Sequence, residues 1–395
     1  CWERSRPAPP FVPLWPAALP ENHSMKQLFH DMLGEATRLT RTGNLLEATE
    51  LIQRTLRGES APAPAPHGKT AATSHREEGW IVDAEARFID DAPELAVPAG
   101  SSQADTCGDE QWLRGSYSHG GRQLAYRLYV PPGSALEAGP RPLVLMLHGC
   151  TQGPEDFAAG TRMNDQARRA GVLVLYPEQT QHANSQKCWN WFKAQHQQRG
   201  RGEPALLAGL TRQVVADHGA DASRVYVAGL SAGGAMADIL GRTYPELFAA
   251  VGVHSGLPAG AASNLPSALE AMRRGAASGS ASGPSVCPVI VFHGDADTTV
   301  HHDNGAAVVN AARSAQSPQG APRVIQGHAP NRQRFTRSAY VAADGSTAIE
   351  HWQLHGAGHA WSGGSSEGSY TTPGGIDASA EMLRFFLSHK RAHGC

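Results

Sequence analysis

The chain has 395 residues, 41% of them hydrophobic, and its 34 Lys and Arg side chains nearly balance 36 Asp and Glu, for a net charge of −2. This length allows two or three domains, or one large α/β domain with appendages, and the hydrophobic content is enough for a globular core. The near-neutral charge argues against a nucleic-acid partner, and the apolar runs are far shorter than the ~18 residues of a membrane span.

The first 110 residues predict appendages rather than a packed domain. Residues 1–24 are rich in proline, which is incompatible with a helix or a central strand, so we expect a disordered tail. Apolar residues at helical spacing on both sides of a Gly-Asn turn predict a helical hairpin over 25–57, which either caps the main domain or mediates association. Residues 58–110, which include an APAPAP run, are expected to form a linker and an extended arm.

The chain begins with Cys1, and no signal-peptide pattern follows it. Three interpretations account for this start: a truncated fragment, a true start at Met25, or a mature lipoprotein with lipid on Cys1. A fragment or a mis-assigned start is the simplest interpretation, and we favour it.

From residue 111 to the end, strands and helices alternate. The apolar and polar residues of 124–130 alternate as in a half-buried strand. Short apolar runs predict buried strands at 142–149, 171–177, 224–229, 249–256 and 288–294, and helical periodicity predicts helices at 162–170, 203–218, 232–244, 304–315 and 378–389. This order predicts one α/β domain over 111–395, with a mostly parallel sheet and helices on both faces.

Polar clusters follow the carboxyl ends of the predicted strands, which is where open α/β sheets bind ligands. They comprise HGC (148–150), YPEQ (176–179), GLSAG (229–233), HGDAD (293–297) and, after a last strand IEHWQL, GH (358–359). Five polar clusters on one edge predict a functional site there.

Ser231 is the candidate nucleophile of that site. It is the central residue of a Gly-x-Ser-x-Gly motif between a predicted strand and a predicted helix. This context exposes the serine on a sharp turn near the N–H groups of the helix N-terminus. A second motif of this form, around Ser366, lies in a Gly- and Ser-rich loop with no strand before it, so we expect an ordinary loop there.

A serine hydroxyl needs a base to take its proton and an acid to orient the base, in the chain order Ser, Asp or Glu, His. Asp295 and Asp297 both follow the strand at 288–294. We prefer Asp297 as the acid, because the chain turns back toward a helix after it, and Asp295 is the structural alternative.

His359 is the candidate base among 19 histidines, because its Gly-rich loop can project an imidazole across the site. His351 and His355, in the preceding strand and at its end, are expected to pack or to lie at the surface. The oxyanion formed by attack needs two N–H donors, for which we expect the amide of Ala232 and one from the loop around Cys150 and Thr151.

The segment Cys188-Trp189-Asn190-Trp191-Phe192 is a dense aromatic cluster in a polar stretch. It forms either buried packing or a wall that binds an acyl chain or a polymer, and the sequence does not separate these alternatives. Trp189, Trp191 and, beside the candidate base, Trp361 are the candidate substrate-binding side chains.

No cofactor and no metal are expected. The side chains of the adjacent His301 and His302 diverge, and no metal-binding or nucleotide-binding motif accompanies them and Asp303.

Five motifs in this order resemble the polyhydroxybutyrate (PHB) depolymerase family of esterases, which includes feruloyl and acetylxylan esterases. They are HGCTQ (148–152), CWNWF (188–192), GLSAGGAMA (229–237), HGDADTTV (293–300) and GAGHAWSGG (356–364), within a resemblance over about 110–390. The resemblance implies an α/β-hydrolase fold with Ser231 as nucleophile, Asp297 as acid, His359 as base and the Cys150 N–H in the oxyanion hole. It also implies a disulfide between Cys150 and Cys188.

The resemblance makes an ester or polyester the expected substrate, first of all a short-chain hydroxyalkanoate polyester or oligomer. A feruloyl or acetyl ester of plant polysaccharide is the alternative, and a catalytically silent binding protein that works through its N-terminal hairpin is a distant third. The family implies an extracellular or periplasmic location, with the cytoplasm as the alternative because no signal peptide is visible. The oligomeric state stays open.

Overall fold

The structure, a computed structural model, describes residues 109–133, 139–276 and 287–391. The predicted tail (1–24), the helical hairpin (25–57) and all but the last two residues of the arm (58–110) lie outside these residues. Those three segments stay predictions.

A ten-stranded sheet forms the centre of the described domain. Its strands are β1 (Gln111–His119), β2 (Arg122–Val130), β3 (Leu143–Leu147), β4 (Leu173–Pro177), β5 (Val225–Leu230), β6 (Ala250–His254), β7 (Val289–Gly294), β8 (Gln319–His328), β9 (Arg334–Val341) and β10 (Thr347–Leu354). Their spatial order is β1-β2-β4-β3-β5-β6-β7-β10-β9-β8. The six strands from β4 to β10 in this order run parallel, and the pairs at the two edges are antiparallel. A short parallel pair, β11 (Trp361–Ser362) and β12 (Thr371–Thr372), lies apart from it.

Seven α-helices occur in the described residues: α1 (Pro154–Thr161), α2 (Met163–Ala170), α3 (Gly202–Asp217), α4 (Ala232–Thr243), α5 (Leu265–Arg274), α6 (Asp303–Gln316) and α7 (Ala378–Leu387). A 3₁₀ turn, Ala194–Gln197, precedes α3. Among the described helices, none has both the length and the apolar character needed to cross a membrane.

Helices cover both faces of the sheet because its buried strands are apolar on both sides. In β3, Leu143, Leu145 and Leu147 pack in one core with α3, α4, α5 and α6. Val144 and Met146 point the other way and pack in a second core with α1, α2 and α7. The mostly parallel sheet with helices on both faces, predicted from the sequence, is therefore confirmed.

Several elements escaped prediction because their sequences lack strong apolar periodicity. Strands β8 and β9 extend one edge, and β8 leaves Val324 and Ile325 about half exposed. The Ala-rich segment from Ala259 to Ser285 contains helix α5 in its described part. Asn264 caps that helix, and the Asn304 side chain of α6 donates to Ala271 O at 2.8 Å, so α5 is docked on its neighbour.

Candidate active site

Ser231 lies on a sharp turn between β5 and α4. Its φ of 58° and ψ of −118° fall outside the regions that non-glycine residues usually adopt. The turn is tight enough that a Cβ on Gly233 would lie 2.0 Å from Leu147 O, and one on Gly229 would lie 2.4 Å from Gly233. The two glycines of the motif are therefore required by the close approach of backbone segments, and the turn brings the serine to the carboxyl edge of the sheet.

His359 and Asp297 are paired at the same edge. His359 Nδ1 donates to Asp297 Oδ2 at 2.7 Å, and the Asp297 carboxylate is fully buried. The other carboxylate oxygen, Oδ1, accepts the N–H groups of Thr299 and Val300 at 2.9 and 2.8 Å. Since Nδ1 of His359 donates to Asp297, Nε2 is the ring nitrogen left for another partner.

Asp297 is held in its ionised form. Burial by itself raises the pKa of this carboxyl, but hydrogen bonds from His293, His359 and the Val300 amide outweigh burial and hold the pKa well below its usual range. An ionised carboxylate beside Nδ1 fixes the imidazole tautomer and stabilises an imidazolium.

Two buried histidines behind this pair were not found by sequence reasoning. His293 Nε2 donates to Val300 O at 2.9 Å and lies 3.4 Å from Asp297 Oδ2. His254 is fully buried, and its Nε2 accepts the N–H of Ser362 at 3.1 Å. Ser362 belongs to β11 and lies three residues after His359. The local sequence gives no signal for His293 and His254, because a histidine near the end of a buried strand can be a packing residue or part of a functional site.

Asp295, the structural alternative for the acid, has a histidine of its own. His355 Nδ1 donates to Asp295 Oδ2 at 2.8 Å, and Gly356 N donates to Asp295 Oδ1 at 2.6 Å. The side chains of Asp295 and His355 are 42% and 31% exposed, in contrast to the buried Asp297. The Asp295–His355 pair ties the loop after β7 to the loop that carries His359.

Backbone N–H groups of two loops meet near Ser231. Ala232 is the first residue of α4, where the N–H has no partner within the helix. In the loop after β3, Gly149 N donates to Gln152 Oε1 at 2.9 Å and Thr151 N donates to Gln186 O at 2.7 Å. These two bonds leave the amide of Cys150, among these three loop amides, without a backbone or side-chain acceptor in the described residues, so its role as an oxyanion donor stays a prediction.

Gln152 holds the loop after β3 through hydrogen bonds of its side chain. Sequence reasoning did not identify this residue. It is 2% exposed, and besides accepting from Gly149 it donates through Nε2 to Asp156 Oδ2 at 2.9 Å and to Ser369 O at 3.0 Å. Asp156 in turn accepts the Ser369 N–H at 2.8 Å. The network connects the loop of Cys150 to the loop that follows His359.

Cys150 and Cys188 are joined by a disulfide that closes a segment with a sequence separation of 38. The bond ties the loop after β3 to the loop that carries Trp189 and Trp191. Among the described residues the remaining cysteine, Cys287, is buried and free.

Loss of the disulfide should destabilise the protein by up to about 4 kcal/mol, because the cross-link restricts the unfolded chain. Urea unfolding of wild type with and without dithiothreitol measures this, and hydrolysis rates should fall as the Cys150 loop loosens. The double variant Cys150→Ser/Cys188→Ser should match reduced wild type and should not respond to the reductant. Equal unfolding free energies for oxidised wild type and the double variant would contradict a stabilising bond.

The three candidate substrate-binding tryptophans lie in the cores. Trp189 and Trp361 are 0% exposed and Trp191 is 5% exposed. Trp361 stacks on His254, and its Nε1 donates to Ser379 Oγ at 3.1 Å. Because a ring without exposed surface has no face to offer a substrate, these positions support the packing alternative for all three.

His301, His302 and Asp303 bring three ligand-type atoms within 4.8 Å of one another. A carboxylate oxygen of Asp303 lies 3.5 Å from a ring nitrogen of each histidine, and the aspartate is exposed. The two imidazole rings stack with centroids 4.6 Å apart, so the expectation that these side chains diverge is wrong. Adjacent groups near the surface are still a weak ligand set.

Three buried histidines, one of them His254, should make the fold sensitive to mild acid. Burial lowers the pKa of His254 to about 3 and of His148 and His351 to about 4, so each is neutral in the folded protein. Between about pH 6.5 and 4 the unfolded chain therefore binds more protons than the folded one, and stability falls as the pH falls.

We expect the free energy of unfolding to drop by up to about 4 kcal/mol per pH unit in that range, at 1.36 kcal/mol for each of three protons. Urea unfolding between pH 8 and 4 measures the slope. His351→Gln should reduce it by about one third, one proton in three, whereas His218→Gln, at an exposed position, should leave it unchanged. A slope that both variants share with wild type would contradict this account.

The geometry can be compared with known proteins. Residues 124–324 match the family described as Esterase PHB depolymerase. The chain is 31% identical over 245 residues to poly(3-hydroxyalkanoate) depolymerase C of Paucimonas lemoignei, covering 58% of this chain and 57% of that protein. It is 30% identical over 217 residues to acetylxylan esterase A of Talaromyces purpureogenus, covering 50% and 55%.

A solved structure shares the fold. The acetyl xylan esterase from Aspergillus awamori superposes with a TM-score of 0.56 at 20% identity, covering 71% of this chain and 99% of that one. The chain spans a little over half the length of the curated relatives that it matches. The family match takes in about half of the 395 residues. The protein has the α/β-hydrolase fold and belongs to the esterase PHB depolymerase family.

Proposed function

We propose that the protein is a serine esterase that hydrolyses carboxylic esters through an acyl-enzyme. The observation that carries the proposal is the buried Asp297–His359 pair, with its 2.7 Å hydrogen bond, at the sheet edge where the turn presents Ser231. The three residues follow β5, β7 and β10 and have the chain order Ser, Asp, His. Family membership supports the same reaction class.

The reaction follows from the roles that the geometry supports. Nε2 of His359 takes the proton of Ser231 as Oγ attacks the ester carbonyl, and Asp297 stabilises the resulting imidazolium. The amides of Ala232 and Cys150 donate to the oxyanion. As the intermediate collapses, Nε2–H gives its proton to the leaving alcohol. Water then attacks the acyl-serine with His359 as base, which releases the acid and restores the serine.

Short-chain hydroxyalkanoate polyesters or oligomers are the proposed substrates, supported by the family and by the depolymerase relative. The test is release of soluble 3-hydroxybutyrate from amorphous PHB by wild type, with Ser231→Ala as the control. Release by wild type alone supports the proposal. No release, with p-nitrophenyl acetate still hydrolysed, would overturn the polyester substrate and keep the esterase.

An acetyl or feruloyl ester of plant polysaccharide is the second candidate substrate. The acetylxylan esterase relative, at an identity close to that of the depolymerase, favours it. Acetate or ferulate release from the corresponding polysaccharide esters, measured beside PHB, separates the two candidates. The distant alternative is a catalytically silent binding protein. It would be supported if a fluorophosphonate, which reacts with activated serine nucleophiles, failed to label Ser231.

The disulfide supports an extracellular or periplasmic location. Disulfides persist in oxidising compartments and are rare where thiols are kept reduced. The Cys150–Cys188 bond beside the candidate oxyanion hole would be at risk of reduction in a reducing cytoplasm.

A further inference from the structure

A cavity of about 420 Å³ opens on the same sheet edge as Ser231, beside the end of β4. Its walls come from the start of β2, the loop after β4, the segment from Trp189 to His196, and the start of α3. Because β2 is antiparallel to β4, with Tyr126 opposite Pro177, the start of β2 lies at the carboxyl end of β4. We call this space the β4 cavity, and the mechanism above does not use it.

Glu203 organises the floor of the β4 cavity. Its Oε1 accepts from Gln179 Nε2 at 2.8 Å and from Asn190 Nδ2 at 2.6 Å, and its Oε2 accepts the Asn190 N–H at 2.7 Å. His196 Nδ1 lies 3.3 Å from Oε2. Burial raises the pKa of Glu203, but the contacts with His196 and Asn190 prevail and lower it. The carboxylate is therefore ionised, and donors of the floor enclose its charge.

The wall also carries an unpaired N–H donor and two basic side chains. Trp189 is fully buried, and its indole N–H has no acceptor among the described residues. A buried donor without an acceptor is costly and calls for a partner. Arg122, His182 and Lys193 line the cavity from exposed positions, and among its lining residues Glu203 is the acidic one. This combination favours a ligand with an anionic acceptor.

The β4 cavity is connected to the candidate oxyanion loop. Trp189 follows Cys188, which is bonded to Cys150. In the sheet, β3 alone separates β4 from β5, so the ends of β4 and β5 are roughly 10 Å apart. An ester chain of two or three hydroxyalkanoate units spans roughly this distance.

We infer that the β4 cavity is a subsite for the carboxylate end of a hydroxyalkanoate oligomer, on the leaving-alcohol side of the bond that is cleaved. The inference rests on the proposed function and adds a chain-end preference to it. An oligomer of hydroxy acids ends in a carboxylate, which the exposed Lys193 and Arg122 side chains of the cavity can receive. An acetyl ester of a neutral sugar carries no such charge, so the subsite favours the hydroxyalkanoate substrate.

The kinetic test compares a linear 3-hydroxybutyrate trimer as free acid and as methyl ester. Wild type should show a kcat/KM about fivefold higher for the acid, the size expected of a partly exposed ion pair. Lys193→Met should bring the ratio toward one, whereas Lys390→Met, which removes an exposed lysine outside the cavity lining, should keep it. A wild-type ratio of one, or a ratio that Lys193→Met and Arg122→Met both leave unchanged, overturns the subsite.

A binding test separates this inference from the proposed function. The Ser231→Ala protein is titrated with 3-hydroxybutyrate and with its methyl ester, and the NMR signal of the Trp189 indole N–H is followed. 3-Hydroxybutyrate should shift the signal and its methyl ester should not. Lys193→Met should weaken the binding of 3-hydroxybutyrate, seen as a higher concentration needed for the same shift. No shift, or equal shifts, overturns the subsite even if oligomers are cleaved. A shift by the acid without cleavage of oligomers by wild type supports the subsite and overturns the hydroxyalkanoate esterase.

Discussion

Ser231→Ala should reduce ester hydrolysis by at least about 10⁴-fold, because a triad that loses its nucleophile retains only the contribution of binding and of the oxyanion hole. The fold should persist, since the substitution removes one oxygen atom and keeps the backbone bond from Ser231 N–H to His254 O, 2.9 Å long. The measurement is kcat/KM on p-nitrophenyl acetate, with the thermal midpoint of each protein beside it.

Ser366→Ala is the matched control for this experiment. It removes the same atom from the other Gly-x-Ser-x-Gly motif, which lies in a loop after β11 and not between a strand and a helix. Its rate should stay close to that of wild type. Substantial hydrolysis by Ser231→Ala, or a comparable loss in Ser366→Ala, would remove Ser231 from the role of nucleophile.

The sequence predicted the centre of the fold well because its strands are buried on both faces. The run from Leu143 to Leu147 has no polar position, which is typical of a parallel strand covered by helices on both sides. The edge strands β8 and β9 carry no comparable run, since they are partly exposed and their residues alternate weakly. Prediction therefore succeeded where burial constrains the residue types and failed where it does not.

Candidate site residues were predictable where local backbone constraints leave a pattern in the chain. The turn at Ser231 requires glycines on both sides, and this requirement appears in the sequence as the Gly-x-Ser-x-Gly motif. The partners of Gln152 and His254 are contacts between segments distant in sequence, which no local pattern encodes. The aromatic cluster was visible in the sequence, but its role was not. A tryptophan such as Trp189 occurs both in a packed core and in a substrate-binding wall, so the residue type does not separate the two.

Asp297→Asn should lower kcat by about 10⁴-fold, the loss seen when the acid of such a triad becomes an amide. The amide nitrogen of asparagine would face Nδ1 of His359, so the ring would take the tautomer that places its proton on Nε2. An imidazole with a proton on Nε2 cannot accept the proton of Ser231. The buried position of Asp297 leaves no room for water to replace the lost carboxylate.

Asp295→Asn is the matched control variant, which separates the loss of the triad acid from a general effect on the loop. Asp295 pairs with His355 at a partly exposed position, and exposed pairs of this kind are worth at most about 1 kcal/mol. The loss of activity should therefore stay below about tenfold, since 1.4 kcal/mol corresponds to a factor of ten. Both variants change one carboxylate to an amide in the same loop, two residues apart, so a general effect on the loop would lower both rates alike. Equal losses would mean that the acid of the triad is not Asp297 alone and that the Asp295–His355 pair takes part in orienting His359.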